Sequence, residues 1–389
     1  MAVDFHRDVY GLLGLPFDTV DMAGTVQRVR AAVASRTPCL ISTANVNFIV
    51  GCRADRSFRD SVIVSDLSVA DGMPVVWIAR LLGIPLRERV TGASLFEALR
   101  RGDAGALSVF FFGGPAGAGA AACQRLALER QGLTPAGFES PGYGSIEEMS
   151  TDQAIARVNA VNADFLVVSL GARKGQRWIE RNRPRLNVPV ISHLGAVLNF
   201  TAGSVRRAPA WMQQGGLEWL WRIKEEPALW RRYFADALAL AWLLAGRVLP
   251  LLWQMQRHPA RADELARASL VARDEPADHV IELRGAWTRR NLAPLREAFT
   301  QATQSGKHVK LDMSSVSAVD SAFVGLAMLL YGHQVRQGRR FRMMQIPRQV
   351  ERFLACSCAE YLYSSGGGDA SMGAEEMEEV AEGADARAA

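Results

Sequence analysis

The chain has 389 residues, 49% of them hydrophobic and 22% charged, which is enough for two ordinary domains with full cores and too apolar for a disordered protein. The formal net charge of +5 is modest but uneven: residues 203–273 hold 11 Lys/Arg against 6 Asp/Glu, whereas 366–389 hold 7 acidic residues and one Arg, so the basic segment can face phosphates or an anionic membrane. Five cysteines, an odd number without zinc-type spacing, read as reduced thiols, and the N-terminus has early acids and no apolar signal core, so export is not expected.

Residues 21–35 have helical spacing, with Val26, Val29 and Val33 on one face, and should pack beside a buried strand at Cys39-Leu40-Ile41. That strand emerges at Ser42-Thr43-Ala44-Asn45, presenting small hydroxyl and amide groups at a strand's carboxyl end, where open α/β sheets bind ligands. A helix over 47–53, a second apolar run at Val62-Ile63-Val64 and the turn Asp71-Gly72-Met73-Pro74 lead to a helix over 75–82. Two readings of Asp71 stand on spacing: a general base taking a proton from a bound hydroxyl group, or the N-cap of that helix.

The clearest buried strand, Leu107-Ser108-Val109-Phe110-Phe111-Phe112, runs into Gly113-Gly114-Pro115-Ala116-Gly117 and a helix over 119–131. Glycines there either let backbone amides approach a diphosphate or satisfy tight strand-to-helix packing; without G-x-G-x-x-G this is no dinucleotide fingerprint. After Pro141-Gly142-Tyr143-Gly144 come a helix over 150–162 and a strand over 165–170 that ends at Gly171-Ala172-Arg173-Lys174. Lys174 can offset charge on a departing nucleoside diphosphate, or be a solvated loop lysine. A strand over 188–192 precedes His193, which either touches a ligand or is a hydrogen-bonded structural histidine. The alternation predicts an α/β fold, a Rossmann-like, mostly parallel sheet with helices on both faces. No D-x-D pair and no His/Cys/carboxylate cluster occurs, so neither a metal nor a cofactor is expected.

From Ala208 the character changes. Trp211, Trp219, Trp221, Trp230, Trp242 and Trp253 are interleaved with Arg222, Arg231, Arg232 and Arg247, as an interfacial helix pair would require. The apolar run 237–246 is shorter than the roughly 20 residues needed to span a bilayer, so the expectation is a helical appendage bound at the membrane surface, with an ordinary amphipathic hairpin as the alternative. Residues 256–277 read as a partly helical linker. Beyond it lie strands over 279–283, 308–313 and 341–345 and helices over 292–304, 326–336 and 347–354; the glycine-rich, acidic 366–389 should be disordered.

Thr43-x-Asn45, Asp71-Gly72-x-x-Val75-Val76-Trp77, Arg89-Val90-x-Gly92, Leu170-Gly171-Ala172-Arg173-Lys174, Ala208-Pro209-x-Trp211-Met212 and Gly216-Leu217-Glu218-Trp219 together resemble the WecG/TagA/CpsF family of bacterial glycosyltransferases. The resemblance implies inverting transfer of a sugar from a UDP-sugar to a polyprenyl-diphosphate-linked acceptor for surface polysaccharide, at the inner face of the cell membrane. It implies Asp71 as the base, with Thr43, Asn45 and Arg89 as polar active-site residues. The candidates for the sugar nucleotide are Gly113, Gly114, Tyr143, Gly171, Lys174 and Asn199; those for the acceptor diphosphate and membrane are Arg222, Arg231 and Arg232, while Leu229 stands where the family has a third arginine. Where the family reads Leu-Gly-x-Pro-Lys-Gln-Glu, this chain has Arg173, Gly175 and Gln176, and Asn199 replaces a usual aspartate, so the donor can be N-acetylmannosamine-type or a related hexose.

Leu311-Asp312-Met313-Ser314 and Val319-Asp320-Ser321 resemble the STAS domain of sulfate transporters and anti-sigma-factor antagonists. In some relatives the serine after the aspartate is phosphorylated, which matches Ser321; the alternative is that Asp320 and Ser321 merely cap a helix. The expected organisation is a glycosyltransferase core (1–205), a membrane-binding helical appendage (206–255), a linker (256–277), a STAS-like domain (278–365) and an acidic tail (366–389). The reading is of a cytoplasmic, peripheral membrane enzyme with no nucleic-acid partner, compatible with a protein partner of the STAS-like domain and with a homo-oligomer. Its rivals are a catalytically degenerate sugar-nucleotide sensor and a scaffold for polysaccharide assembly.

Overall fold

The computed structural model describes residues 3–102, 105–142 and 144–364. The expected strand-then-helix alternation forms a six-stranded sheet of β3 (Cys39–Ala44), β4 (Leu67–Ala70), β5 (Leu107–Gly113), β6 (Leu133–Glu139), β7 (Phe165–Ser169) and β8 (Val190–His193), ordered β4-β3-β8-β7-β5-β6. Every neighbouring pair is parallel, so all six carboxyl ends share one edge. Strands β4, β7 and β8 are buried throughout, as a parallel sheet with helices on both faces requires. On one face Phe112 stacks on Trp178 with ring centroids 4.0 Å apart, and the indole N–H donates to the Met149 carbonyl.

The helices begin where short polar side chains take up their first amide groups. Asp21 caps Met22–Ser35, Asn45 caps Val46–Ala54, Asp55 caps Arg56–Ile63 and Thr91 caps Gly92–Arg100. The apolar run at 62–64 is therefore the end of a helix, and the strand that precedes Asp71 is the shorter Leu67–Ala70.

A second sheet of four strands, ordered β12-β11-β10-β9, is built from β9 (Ser269–Asp274), β10 (Asp278–Trp287), β11 (His308–Val319) and β12 (Phe341–Met344). Strand β9 pairs antiparallel with β10, so the end of the stretch expected to be a linker belongs to this sheet; its residues are mostly exposed and lack the apolar alternation that marks a strand.

The two sheets share a core. The hairpin of β1 (Val9–Leu12) and β2 (Leu15–Asp18), all eight residues buried, lies against the helix Ser321–Arg336, in which every residue from Ser321 to Gln334 is buried. Helices that are apolar all round are covered on all sides, and here the STAS-like sheet and the transferase core do the covering. The approach is close enough that a Cβ on Gly325 would come 2.7 Å from the Val9 carbonyl oxygen. Polar groups cross the same seam: the Tyr331 hydroxyl group donates to Asp60 at 2.9 Å, the Tyr361 hydroxyl group to the Gly14 carbonyl at 3.0 Å, and Arg59 lies 4.0 Å from the Tyr361 ring centre.

Residues 210–257 form helices Ala210–Gln214 and Glu218–Glu225 and then one unbroken helical stretch, Leu229–Arg257, with a π-helical turn at Leu244–Val248. At 29 residues, with an 18-residue window of mean hydropathy 1.6, that stretch is long and apolar enough to cross a membrane by length and composition. The ten-residue run seen in the sequence is thus only its middle, because Arg247 does not end the helix. Arg247 turns onto the STAS-like domain, donating to the Ala355 carbonyl at 2.6 Å and pairing with Glu360 at 2.7 Å.

Candidate active site

At the carboxyl edge of the six-stranded sheet, the Asp71 amide group donates to the Ala44 carbonyl at 2.9 Å, tying the ends of β3 and β4 together. The helix Met73–Leu81 starts at Gly72 with no side-chain cap, so Asp71 is not spent as the cap that its spacing allowed. Its carboxylate instead faces the Gly92 amide group, near enough to lower its pKa, at the start of Gly92–Arg100, a segment drawn in by the bond from the Val90 amide group to the Ala70 carbonyl at 2.9 Å. Burial pushes the Asp71 pKa up to about 6, against the pull of Arg89, the Gly92 amide group and Arg222, and nearby Glu218 pushes the same way. A carboxylate there is mostly ionised at neutral pH yet far more basic than an ordinary aspartate, the property a general base needs.

The arm beginning at Ala208 closes over this carboxylate. Arg89 pairs with Glu218 at 3.3 Å and donates to the Gln213 carbonyl at 2.7 Å. Arg207 pairs with the other Glu218 oxygen at 3.4 Å and donates to Ser94 at 2.7 Å. Glu218 was not among the residues singled out from the sequence; its signal was its place inside the Gly216-Leu217-Glu218-Trp219 block, an acid amid apolar neighbours. Arg222 is near enough to Asp71 to lower its pKa, bonds Glu226 at 3.0 Å, and keeps a buried Nε without a partner. Arg231 and Arg232 are exposed on the long helix, 5.8 Å from the Trp230 ring centre and 5.3 Å from that of Tyr233.

Thr43 is buried at the end of β3, beside Gly92. Asn45 commits its amide oxygen to the Phe48 N–H at 3.1 Å, leaving its NH2 group for other partners. The remaining candidates come from other strand ends on the same edge. Gly113 ends β5 and Gly114 follows it, with φ of 93° and 82°, and a Cβ on Gly113 would lie 2.7 Å from Leu170 and 2.8 Å from the Ser169 carbonyl oxygen, so packing alone demands glycine there. Gly171 starts the helix Ala172–Asn182 after β7, and Lys174 in its first turn donates to the Gly144 carbonyl. Asn199 sits in Val197–Ala202 after β8. Tyr143 lies outside the described residues.

His193 is buried, donates from Nε2 to the Leu170 carbonyl at 2.6 Å, and has its pKa lowered by burial, as a neutral structural histidine would. Its ring fills the space that a side chain at Gly175 would enter. Gln176 is fully buried and donates to Ser42 at 2.9 Å. In the second domain, Asp320 caps Ser321–Arg336 by accepting from the Ala322 and Phe323 amide groups at 3.0 Å each. Ser321 is 5% exposed, so its hydroxyl group is not presented to a kinase unless the helix start opens.

A parallel α/β sheet whose carboxyl edge gathers a basic carboxylate, arginines and a covering arm defines a group-transfer enzyme rather than a passive module. A family model described as glycosyl transferase WecG/TagA/CpsF matches residues 10–259, and one described as Mlab, STAS domain, matches residues 271–360. The chain therefore belongs to the WecG/TagA/CpsF family: it is a glycosyltransferase followed by a STAS domain. It is similar to the N-acetylglucosaminyldiphosphoundecaprenol N-acetyl-beta-D-mannosaminyltransferase of Bacillus spizizenii, 31% identical over 195 residues that make up 49% of this chain and 73% of the relative. Proteins of the same name from Bacillus subtilis (29% over 194 residues; 50% and 74%) and Staphylococcus aureus (25% over 224 residues; 57% and 85%) are also similar.

Proposed function

We propose that the enzyme transfers a sugar, N-acetylmannosamine or a related hexose, from a UDP-sugar to a polyprenyl-diphosphate-linked acceptor, with Asp71 as the general base. The acceptor hydroxyl oxygen attacks the anomeric carbon, the bond from that carbon to the diphosphate oxygen breaks with inversion, and the hydroxyl proton passes to Asp71. Arginines near the departing diphosphate, Arg222 foremost, stabilise the charge it gathers. The observation that carries this reading is the Asp71 carboxylate with its raised pKa, set between Arg89, Glu218 and Arg222 where the arm meets the sheet edge. The relatives, named as N-acetylglucosaminyldiphosphoundecaprenol N-acetyl-beta-D-mannosaminyltransferases, support the lipid-linked acceptor. Incubating the protein with a panel of radiolabelled UDP-sugars and a lipid-linked acceptor tests it: label should enter the lipid fraction with at least one donor, and no transfer from any donor would remove the proposal.

The arm supports a seat on the inner face of the cell membrane. Trp230, Phe234, Leu238, Trp242, Leu249 and Trp253 are exposed along Leu229–Arg257. The opposite side of the same helix is held lengthwise by protein: Asn47 to Asp236 at 3.5 Å, Arg247 to Glu360, Gln254 to the Gln349 carbonyl at 2.7 Å, and Leu243, Val248 and Leu251 in the shared core. A helix clamped along its length favours lying in the interface over crossing it, with the tryptophans at the headgroups.

A second reading, a sugar-nucleotide sensor without turnover, draws on Gly175: the His193 ring lies where the resemblance places a glutamine side chain. UDP-sugar binding without transfer to any acceptor would favour it.

A further inference from the structure

A cavity of about 390 Å³ opens at the opposite, amino edge of the six-stranded sheet, between the helix Met22–Ser35, the starts of β3 and β4, and the STAS helix Ser321–Arg336. Asp66 precedes β4 and Asp71 follows it, so the cavity and the candidate active site lie at opposite ends of one strand, on the order of 15 Å apart at about 3.3 Å per residue.

Three arginines and two aspartates line it, and their pairings leave positive charge over. Arg7 is held by both oxygens of Asp18, at 2.9 and 2.6 Å. Asp66 accepts from Arg183 and from the Leu40 amide group at 2.8 Å. Asp4 accepts from the His6 amide group at 2.8 Å. Arg336 bonds the Val64 carbonyl, and no carboxylate among the described residues lies within ion-pair distance of it. The nearest carboxylate to Arg28 is Asp18, 4.0 Å away and already taken by Arg7. Burial, with the neighbouring Arg183 and Arg7, lowers the pKa of Arg336 against the pull of Asp66 and Glu180, neither of which is within ion-pair distance.

His333 supplies an independent observation. It lines the cavity at 8% exposure, and neither ring nitrogen has a hydrogen-bond partner. Burial, with Arg336 and Arg339, holds its pKa down to about 4, so at neutral pH it carries one unpaired N–H and one unpaired acceptor. Orphaned buried polar atoms are costly unless something completes them. Beside them the wall is apolar, with Ile63 and Leu329.

We propose that this cavity binds a small organic phosphate, its phosphate group on Arg28 and Arg336 and its uncharged part against His333 and Leu329. The volume falls within the range of small-molecule sites. Because the walls come from both the transferase core and the STAS domain, such a ligand stabilises the docked arrangement of the two.

Titration calorimetry of the full chain with adenosine 5′-monophosphate, glycerol 3-phosphate and inorganic phosphate tests the site. Expected is one-to-one binding of an organic phosphate, weakened at least tenfold by Arg28→Gln and by His333→Leu and unchanged by Asp71→Asn. Arg28 is partly exposed, so its variant keeps the fold if the His333 variant does not. Failure of both organic phosphates to bind, binding that Arg28→Gln leaves intact, or equal binding of inorganic phosphate overturns the assignment.

Discussion

Arg89 on the sheet edge and Glu218 on the arm pair at 3.3 Å, and both act on the protonation of Asp71, in opposite directions. The pair that latches the arm to the core is therefore also part of the electrostatics of the proposed base. Replacing Glu218 by Gln removes a charge that raises the Asp71 pKa and frees Arg89 to lower it further. The acidic limb of the pH profile of kcat/KM should move to lower pH, by a few tenths to about one unit. An unmoved or raised limb would mean that Asp71 does not govern it.

Asp71 also makes a prediction about stability. Its folded pKa, about 6, lies above that of an unfolded aspartate near 3.9, so the folded state binds the proton more tightly. The stability it lends is present below about pH 4 and is lost as pH rises toward 6. Asp71→Asn should therefore be more stable than the wild type at pH 7.5, by about 2 kcal/mol, with the difference shrinking toward pH 4. Denaturant unfolding at the two pH values checks this.

The seam between the two sheets leaves no room at Gly325. Gly325→Val should force the β1–β2 hairpin off the STAS helix and cost several kcal/mol, on the order of other overpacked core sites. Faster hydrogen exchange in residues 9–18 would report it, and unchanged exchange there would show that the hairpin and helix are not packed as described.

Changing Trp242 and Trp253 to Ser removes two exposed rings that touch little of the protein core. Melting temperature should stay the same, while partitioning onto anionic vesicles should fall by about tenfold per ring. Undiminished binding would place the membrane contact elsewhere.

Much of the transferase sheet was legible because its strands are short apolar runs separated by helical periodicity. Strand β6 was not: Pro135 and Gly137 interrupt it, and it is only partly buried at the sheet edge. The length of Leu229–Arg257 was hidden by Arg247 and Pro250. The arginine's charge is met by a partner more than a hundred residues away, and the π turn just before Pro250 accommodates the missing amide group. At the site, the family resemblance pointed to Asp71 and Arg89, while spacing alone left the helix-cap reading of Asp71 open; the approach of Gly92 and Glu218 was invisible because it depends on tertiary contact alone. The same holds for the seam, in which a helix apolar all round announced burial without saying against what.

Single-turnover transfer from a UDP-sugar to a lipid-linked acceptor, compared between the wild type and Asp71→Asn with donor affinity measured alongside, bears most directly on the proposed chemistry. Transfer slowed by roughly 10²–10⁴-fold with donor affinity preserved is the expected result. Transfer at the wild-type rate would show that this carboxylate takes no proton in the reaction.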